Sequence, residues 1–224
     1  MRHALILAAG RGERMRPLTD HTPKPLLDVH GKPLIVHHLE KLAAADVRYV
    51  VINTSHLADR FPETLGDGSR WGIRIRYSYE GPKPLETGGG MLNALPLLGP
   101  EPFIVVSADI WSDIDYAALP REPQGLAHLV MVPNPDFHPA GDFALADGTL
   151  HDDGDAPAVA ERLTFGNVGV YRRELVADEA PGAFKLLPMY RRAMTQGRLH
   201  GEKFEGFWRN VGTPAQLDEL RAVR

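Results

Sequence analysis

The chain has 224 residues, of which 43% are hydrophobic, and a formal net charge of -4, which is typical of an ordinary globular protein. Charge of either sign is spread along the chain without long runs, which argues against a protein that binds a nucleic-acid backbone. The absence of cysteine excludes disulfide bonds, thiolate zinc sites and a cysteine nucleophile, and the apolar runs are too short to span a membrane. We therefore expect a cytoplasmic protein with neither a nucleic-acid nor a membrane partner.

Short apolar runs alternate with helical patterns along the first 132 residues. The runs have the length and the polar or glycine borders of buried strands; they cover residues 3–9, 48–53, 72–78, 103–107 and 126–132. Apolar residues recur at helical spacing over 34–45, 57–65 and 89–97. Strand followed by helix, repeated, predicts right-handed crossovers and a mostly parallel sheet that is covered on both faces.

The alternation ends near residue 133. Residues 138–157 are rich in glycine, aspartate and proline, which predicts short strands or a hairpin. The remaining patterns predict a strand over 163–171, a helix over 184–195, a short strand over 207–211 and a closing helix over 214–223. Thr213 as N-cap with Pro214 at the first helical position supports the last of these.

The segment between Leu7 and Thr19 leaves the first strand and reads Leu-Ala-Ala-Gly-Arg-Gly-Glu-Arg-Met-Arg-Pro-Leu-Thr. Its small residues let a ligand approach the backbone, so that N–H groups point at phosphate oxygens. Arg11, Arg14 and Arg16 add positive charge whose geometry suits phosphate. The spacing fits neither a Walker A loop nor a dinucleotide fingerprint. Taken alone, the segment is also compatible with an ordinary turn that carries solvated arginines.

Two prolines enclose Lys24 in the following Thr-Pro-Lys-Pro-Leu segment, residues 22–26. Proline restricts both its own backbone and that of the preceding residue, so the ammonium is presented from a stiff stretch of chain. The pattern predicts a phosphate contact, with a solvated surface lysine as the alternative.

These two segments together resemble the opening of the sugar-1-phosphate nucleotidyltransferases, also called nucleotide-sugar pyrophosphorylases. The combined pattern covers residues 5–27, and the resemblance extends over nearly the whole chain. It implies an α/β fold of the nucleotide-diphospho-sugar transferase type, which is Rossmann-like and GT-A-like: a mostly parallel mixed sheet flanked by helices, with a small β-rich insertion. It also implies Mg²⁺-dependent transfer of a nucleotide from a nucleoside triphosphate to a sugar 1-phosphate, with release of pyrophosphate.

Residues 65–72 and 84–90 are most similar to the uridylyltransferases that act on N-acetylmuramate 1-phosphate in peptidoglycan recycling. UTP and that sugar phosphate are therefore the expected substrates. Guanylyl, thymidylyl or cytidylyl transfer to another sugar or alcohol phosphate, and a non-catalytic sensor of nucleotide sugars, are the alternatives. We expect one domain over 1–224, with a nucleotide-binding part in about 1–132 and a sugar-binding part with the closing helix in about 133–224. The oligomeric state is not implied.

The resemblance also implies roles for individual residues. The expected catalytic residues are Arg14, Lys24 and Asp109. Asp109 follows a buried strand, at the end where open α/β sheets bind ligands, and is the expected Mg²⁺ ligand. The expected nucleotide contacts are Leu7, Ala8, Ala9, Gly10, Gly12, Glu13, Arg14, Lys24, Gly88 and Ser107. The expected sugar contacts are Glu86, Asp142 and Asn167.

Three consecutive glycines, Gly88, Gly89 and Gly90, disfavour a helix unless something must approach their backbone closely. The resemblance implies that the approaching group is the nucleobase and sugar, with Gly88 in contact.

Two positions depart from the family pattern. Residues 208–213 read Trp-Arg-Asn-Val-Gly-Thr where Trp-x-Asp-x-Gly-Thr is expected, so Asn210 replaces the second metal-binding aspartate. An amide oxygen can still bind Mg²⁺, although with less charge. A Glu-Lys-Pro segment, whose lysine holds the sugar phosphate in many members, is missing between residues 155 and 164. The sequence therefore leaves the sugar phosphate without an assigned partner.

Overall fold

The computed structural model describes residues 2–152 and 154–222. Its strands are β1 (His3–Leu7), β2 (Asp28–Val29), β3 (Lys32–Pro33), β4 (Tyr49–Thr54), β5 (Arg74–Tyr79), β6 (Phe103–Ser107), β7 (Ile110–Ser112), β8 (Ala127–Val132), β9 (Phe143–Ala146), β10 (Thr149–His151), β11 (Glu161–Tyr171), β12 (Leu199–Lys203) and β13 (Trp208–Asn210). Its helices are α1 (Leu34–Ala44), α2 (Arg60–Leu65), α3 (Glu86–Ala94), α4 (Leu187–Thr195) and α5 (Pro214–Ala222). No helix within these ranges is long and apolar enough to cross a membrane.

Within the described residues, nine strands form one sheet in the spatial order β5-β4-β1-β6-β11-β8-β12-β10-β9. The first four are parallel to one another, and β12 is parallel to β8. β11 runs antiparallel to β6 and β8, while β9 and β10 form a hairpin that also pairs with β11. One sheet therefore continues from the first 132 residues into the rest of the chain.

β1 lies in the middle of the parallel part, and its last residue, Leu7, pairs with Asn53 of β4 and Ser107 of β6. Because parallel strands end at the same edge of a sheet, the loops that follow them meet there. This edge collects the glycine-rich segment after β1, Glu80 after β5 and Asp109 after β6.

Helices cover both faces of the sheet, and each face has its own apolar core. One core contains Ile6 of β1 and Leu39 of α1. The other contains Leu5 of β1, Met91 of α3 and Tyr190 of α4. Successive residues of β1 thus belong to opposite cores, which is the two-sided burial expected of a parallel strand.

The predicted fold class is confirmed: a mixed sheet is flanked by helices, and the β9–β10 hairpin lies inside the predicted β-rich insertion. Parallel pairing joins β5, β4, β1 and β6, as the strand–helix alternation predicts. The sheet becomes antiparallel around β11, because that strand follows a hairpin and not a crossover helix.

Three helices begin at other residues than predicted. The helix expected over 184–195 begins at Leu187, because the Phe184 amide donates to the Leu85 carbonyl and not within a helix. The helix expected over 57–65 begins at Arg60, since the φ of 52° at Leu57 is incompatible with a helix. α3 begins at Glu86, so the consecutive glycines lie inside its first turns. The amide of Gly89 donates to the Phe184 carbonyl at 3.1 Å, in a region where close packing requires glycine.

The start of α5 confirms the predicted cap. Pro214 is the first helical residue, and the Thr213 hydroxyl accepts a hydrogen bond from the Gln216 amide at 3.3 Å. This cap orients the segment before it, which carries Asn210.

Candidate active site

Three adjoining cavities open at the edge where β1, β4, β5 and β6 end. The first, here called the central cavity, has a volume of about 330 Å³. Its lining residues are Leu7, Ala8, Ala9, Gly10, Lys24, Pro25, Asn53, Glu80, Pro84, Glu86, Thr87, Ser107, Ala108 and Asp109. Eight of the residues predicted from the sequence therefore meet in one cavity: Leu7, Ala8, Ala9, Gly10, Lys24, Glu86, Ser107 and Asp109.

A buried hydrogen-bond relay holds the loop after β1 to the loop before α3. Asn53 accepts from the Ala8 amide at 2.5 Å and donates to Glu80 Oε1 at 2.6 Å. Glu80 Oε2 accepts from the Leu85 amide at 2.7 Å. Glu80 is only 9% exposed, and this burial raises the pKa of its carboxyl group. The relay fixes the relative position of two walls of the central cavity.

Gly12 allows the glycine-rich loop to fold over Lys24. Its φ is 65°, and a Cβ at this position would lie 3.0 Å from Thr19 Cγ2 and 3.2 Å from Lys24 Cβ. The buried Thr19 hydroxyl donates to the Gly12 carbonyl at 2.9 Å. A larger residue at position 12 would therefore both strain the backbone and push the loop away from Lys24.

The second cavity, here called the arginine cavity, has a volume of about 350 Å³. Its lining residues are Arg11, Gly12, Glu13, Arg14, Lys24 and Gly212. A Cβ at Gly212 would lie 3.0 Å from Arg14 Nη2, so the guanidinium packs against that backbone. Three cations and one carboxylate line this cavity, which suits an anion such as a phosphate group.

Lys24 and Asp109 form an ion pair between the central and arginine cavities. Lys24 Nζ lies 2.5 Å from Asp109 Oδ2, and the side chains are 13% and 29% exposed. The contact places a cationic group directly against the carboxylate that the sequence predicts as a metal ligand.

Asn210 lies beside Asp109 through strand pairing. Its backbone pairs with Ile110 in the β13–β7 ladder, and the Val211 amide donates to the Asp109 carbonyl at 2.7 Å. Asn210 Oδ1 is buried and has no hydrogen-bond partner among the described residues. Such an orphaned oxygen is rare in proteins and is compatible with a bound cation.

The donors present fit a hard divalent cation such as Mg²⁺. Asp109 supplies a carboxylate and Asn210 an unpartnered amide oxygen. In the part of the chain that the structure describes, no group of three or more His, Cys, Asp or Glu side chains could hold a metal. Mg²⁺ usually keeps several waters and is shared with substrate phosphates, so a site of two protein ligands suits it.

The third cavity, here called the wide cavity, has a volume of about 550 Å³ and lies beside the central cavity. Its lining residues are Leu7, Glu86, Thr87, Val105, Ser107, Phe137, His138, Asp142, Phe143, Thr164, Phe165, Asn167, Tyr171, Lys185, Leu186, Leu187, Tyr190, Trp208 and Asn210. Asp142 accepts from the Phe165 amide at 2.8 Å and lies 3.1 Å from His138 Nε2. Aromatic walls with a few fixed polar groups are typical of a small-molecule site.

Two lining residues have a strained backbone. Glu86 has a φ of 61° and Asn167 a φ of 58°, a left-handed conformation that costs a non-glycine residue about 1–3 kcal/mol. Asn167 lies at the irregularity between Phe165 and Gly169, where β11 shifts its register against β8. Such strain concentrates at functional sites, and here both residues line the same cavity.

Gly88 differs from the other predicted site residues, because it lines none of the three cavities. A Cβ on Gly88 would lie 2.4 Å from the Phe184 ring, and one on Gly89 would lie 2.1 Å from the Gly182 carbonyl oxygen. A Cβ on Gly90 would lie 2.4 Å from Glu80 Oε1. Something does approach this backbone closely, but among the described residues it is the protein itself.

Sequence reasoning missed several polar residues of the site, and three of them shape the walls around Lys24 and the loop after β1: Asn53, Glu80 and Thr19. Asn53 and Glu80 follow the same logic as Asp109, since each lies at or just after the carboxyl end of a parallel strand. That position was the signal available for them. Thr19 carries no comparable signal, because its role depends on the fold of the loop around Gly12.

Several known proteins resemble this chain in sequence or in fold. Residues 3–140 match the family model described as Nucleotidyl transferase. An N-acetylmuramate alpha-1-phosphate uridylyltransferase from Neisseria meningitidis serogroup B is 48% identical, covering 98% of this chain and 97% of its own length. A protein of the same name from Caulobacter vibrioides is 39% identical, and the match covers 94% of this chain and 92% of that protein.

A solved structure shows the same fold. It is a Bacillus anthracis protein that is named after glucose-1-phosphate thymidylyltransferases and was crystallised with sucrose. The two structures superpose with a TM-score of 0.84 at 20% sequence identity, and the match covers 100% of this chain and 95% of the Bacillus anthracis chain. The family model covers more than half of the chain, and the two uridylyltransferases match over nearly its full length. The chain therefore belongs to the nucleotidyl transferase family.

Proposed function

We propose that this protein joins a sugar 1-phosphate to UTP, with N-acetylmuramate 1-phosphate as the sugar, and releases pyrophosphate. The observation that carries the proposal is a junction of the three cavities: Lys24 lines the arginine and central cavities, Asp109 lines the central cavity, and Asn210, beside Asp109, lines the wide cavity. Two substrates can occupy separate cavities while their phosphates meet at this junction. The choice of UTP and of the sugar rests on the names of the two full-length relatives.

The reaction needs no general base, because the attacking group is a phosphate oxygen that is already anionic at neutral pH. This oxygen forms a bond to the α-phosphorus of UTP, the bond from that phosphorus to the β-phosphate oxygen breaks, and pyrophosphate leaves. The demands on the protein are to bring two polyanions together in line and to stabilise charge on the leaving group. The lining residues supply cations and backbone amides and contain no nucleophile–base pair, which suits these demands.

Each predicted catalytic residue has a position that fits a task. Arg14, in the arginine cavity, holds the leaving phosphates through its guanidinium. Lys24 lines both the arginine and the central cavity, so its ammonium contacts the phosphate under attack. The small residues 7–10 let the nucleotide lie close to the end of β1.

Asp109 and Asn210 would hold Mg²⁺. When bound, this ion neutralises phosphate charge and orients the phosphates for in-line displacement. Asp109 provides the charged oxygen and Asn210 the amide oxygen that has no other partner among the described residues. Glu86, Asp142 and Asn167 would contact the sugar from the wide cavity. A role in peptidoglycan recycling in the cytoplasm follows from the proposed substrate.

Pyrophosphate release tests the proposal. UTP, GTP, CTP and dTTP are each assayed with N-acetylmuramate 1-phosphate, glucose 1-phosphate and mannose 1-phosphate, with and without a chelator. We expect the highest kcat/KM with UTP and N-acetylmuramate 1-phosphate, and loss of turnover when the chelator removes Mg²⁺. Preference for another nucleotide or sugar phosphate would contradict the assigned substrates, and full turnover with the chelator would contradict the metal requirement.

The second candidate is a non-catalytic sensor of nucleotide sugars, which the asparagine at position 210 favours. A sensor binds UTP or UDP-sugar in calorimetry without turnover, and Asn210→Asp raises its activity from near zero. Our proposal instead expects measurable turnover in the unaltered protein, with Asn210→Asp changing mainly the Mg²⁺ concentration that gives half-maximal rate. The two candidates therefore differ in the activity of the unaltered chain.

A further inference from the structure

We propose that Lys185 makes the wide cavity selective for a sugar 1-phosphate that carries a second anionic group, a carboxylate. This inference rests on the proposed function and assigns a specificity-determining residue within it. It begins from the charges that line the wide cavity. Lys185 is the one Lys or Arg among its described lining residues, where the carboxylates are Glu86 and Asp142.

The other groups of the wide cavity do not replace Lys185 as a cation. His138 lies 3.1 Å from Asp142, so its ring is already beside a carboxylate. Lys24 lines the central and arginine cavities and is paired with Asp109. An anion on the far part of a sugar would otherwise face two carboxylates, which is unfavourable in a partly enclosed site. The positive charge of Lys185 offsets the repulsion between these carboxylates and an anionic group of the ligand.

The backbone that carries Lys185 is held in place on both sides. The Phe184 amide donates to the Leu85 carbonyl at 3.1 Å, and the Gly88 amide donates to the Phe184 carbonyl at 2.9 Å. On the other side, the Leu186 amide donates to the Thr87 hydroxyl at 3.0 Å. The segment is thus held against the start of α3, where Glu86 and Thr87 line both the wide and the central cavity.

The consecutive glycines explain how this pinning is possible. A Cβ on Gly88 would lie 2.4 Å from the Phe184 ring, and one on Gly89 would lie 2.1 Å from the Gly182 carbonyl oxygen. Only glycine admits the 182–184 segment at this distance. The glycines therefore place Lys185 at the wide cavity.

Lys185 itself is exposed and makes no ion pair with another described side chain. An unpaired ammonium on a fixed stretch of backbone that lines a ligand cavity is suited to a carboxylate of the ligand. Aromatic and aliphatic walls nearby, including Phe165 and Leu187, suit the methyl groups of such a sugar. N-acetylmuramate 1-phosphate has this chemistry, since it is N-acetylglucosamine 1-phosphate with a lactyl ether.

These two sugar phosphates give a matched pair for the test, because they differ only in the lactyl group. The measured quantity is the ratio of kcat/KM for N-acetylmuramate 1-phosphate to that for N-acetylglucosamine 1-phosphate, both with UTP. A charge-assisted hydrogen bond in a partly exposed site predicts that Lys185→Met lowers this ratio about tenfold. Lys185→Glu should lower it further, and Lys185→Arg should restore most of it.

Lys83→Met is the control, since Lys83 is also exposed and lines none of the three cavities. Its ratio should equal that of the unaltered protein. An unchanged ratio in Lys185→Met, or an equal fall in kcat/KM for both sugars, would overturn the assignment. In the latter case Lys185 would contact the group that both sugars share, the phosphate.

Calorimetry gives the ratio of the binding affinities for the same two sugar phosphates, and this measurement does not require turnover. If the unaltered protein releases no pyrophosphate with either sugar, the proposed function fails while the binding ratio still tests Lys185. Absence of any preference for the carboxylate-bearing sugar in binding overturns the inference by itself.

Discussion

Removing the Lys24 ammonium should change metal binding and turnover in opposite directions. Lys24 Nζ lies 2.5 Å from Asp109 Oδ2, and both residues line the central cavity. A cation that binds Asp109 must displace this contact, so the ion pair competes with the metal as long as no phosphate draws Lys24 away. The variant Lys24→Met keeps the unbranched side chain as far as Cε and removes the charged nitrogen.

The structure sets the size of the effect. A hydrogen bond to a charged group contributes about 1.5–3 kcal/mol, and an exposed ion pair about 0.2–1 kcal/mol. With side chains 13% and 29% exposed, the Lys24–Asp109 pair falls between these limits, at about 1–2 kcal/mol. Loss of the competing ammonium should therefore tighten metal binding roughly five- to thirtyfold in the absence of nucleotide.

Mn²⁺ is the probe, and its free concentration is followed by electron paramagnetic resonance as the protein is titrated without nucleotide. Lys32→Met is the control, because it removes the Lys32–Glu40 pair away from the three cavities. Turnover of Lys24→Met should fall about a hundredfold, since a preorganised contact to the reacting phosphates is lost. Mn²⁺ affinity equal to or weaker than that of the unaltered protein would refute the competition.

Two further predictions concern the framework of the site, and a third concerns His38, a buried residue of α1. Both carboxylate oxygens of Glu80 accept hydrogen bonds, so Glu80→Gln places an amide NH₂ against a donor. The free energy of unfolding, measured by urea unfolding, should fall by about 1–3 kcal/mol. The affinity for UTP, measured by calorimetry, should fall as well. Gly88→Ala should lower the free energy of unfolding by about 1–3 kcal/mol, because the added methyl group overpacks against the Phe184 ring. In a double-mutant cycle, Gly88→Ala combined with Phe184→Ala should lower it by less than the sum of the two single changes. Burial lowers the pKa of His38 from 6.5 to about 4, so between those pH values the unfolded chain binds a proton that the folded chain does not. Stability should therefore fall as the pH falls from about 6.5 to about 4, by up to about 3 kcal/mol from this group, and His38→Gln should lose less over that window; equal losses in both proteins would contradict the burial of a neutral ring.

Local segments of the site could be predicted from the sequence, because their chemistry is written in neighbouring residues. The loop after β1 and the Pro-Lys-Pro turn each lie within one short stretch, and Asp109 directly follows an apolar strand. The relay from Ala8 through Asn53 to Glu80 could not, since it joins the ends of three different strands. Its geometry exists only once those strands are paired.

The glycines of α3 illustrate a different limit. The consecutive glycines indicate that some group approaches the backbone of Gly88 closely, and the Phe184 ring does so. Whether the approaching group is a ligand or a distant part of the chain depends on tertiary packing, which brings Phe184 against the helix. In the same way, the antiparallel pairing of β11 follows from the path of the chain after the β9–β10 hairpin. Neither the identity of the group that approaches Gly88 nor the direction of β11 has a local signal in the sequence.

The central claim is that a triphosphate lies between the glycine-rich loop and Lys24 while a divalent cation lies between Asp109 and Asn210. A crystal structure of the protein with UTP, Mg²⁺ and a non-reactive sugar phosphate tests this most directly. We expect phosphate density beside Gly12 and Arg14, and an ion in contact with Asp109 and with Oδ1 of Asn210. A nucleotide bound elsewhere, or a bound triphosphate with the Lys24–Asp109 pair intact and no ion beside Asp109, would contradict the account.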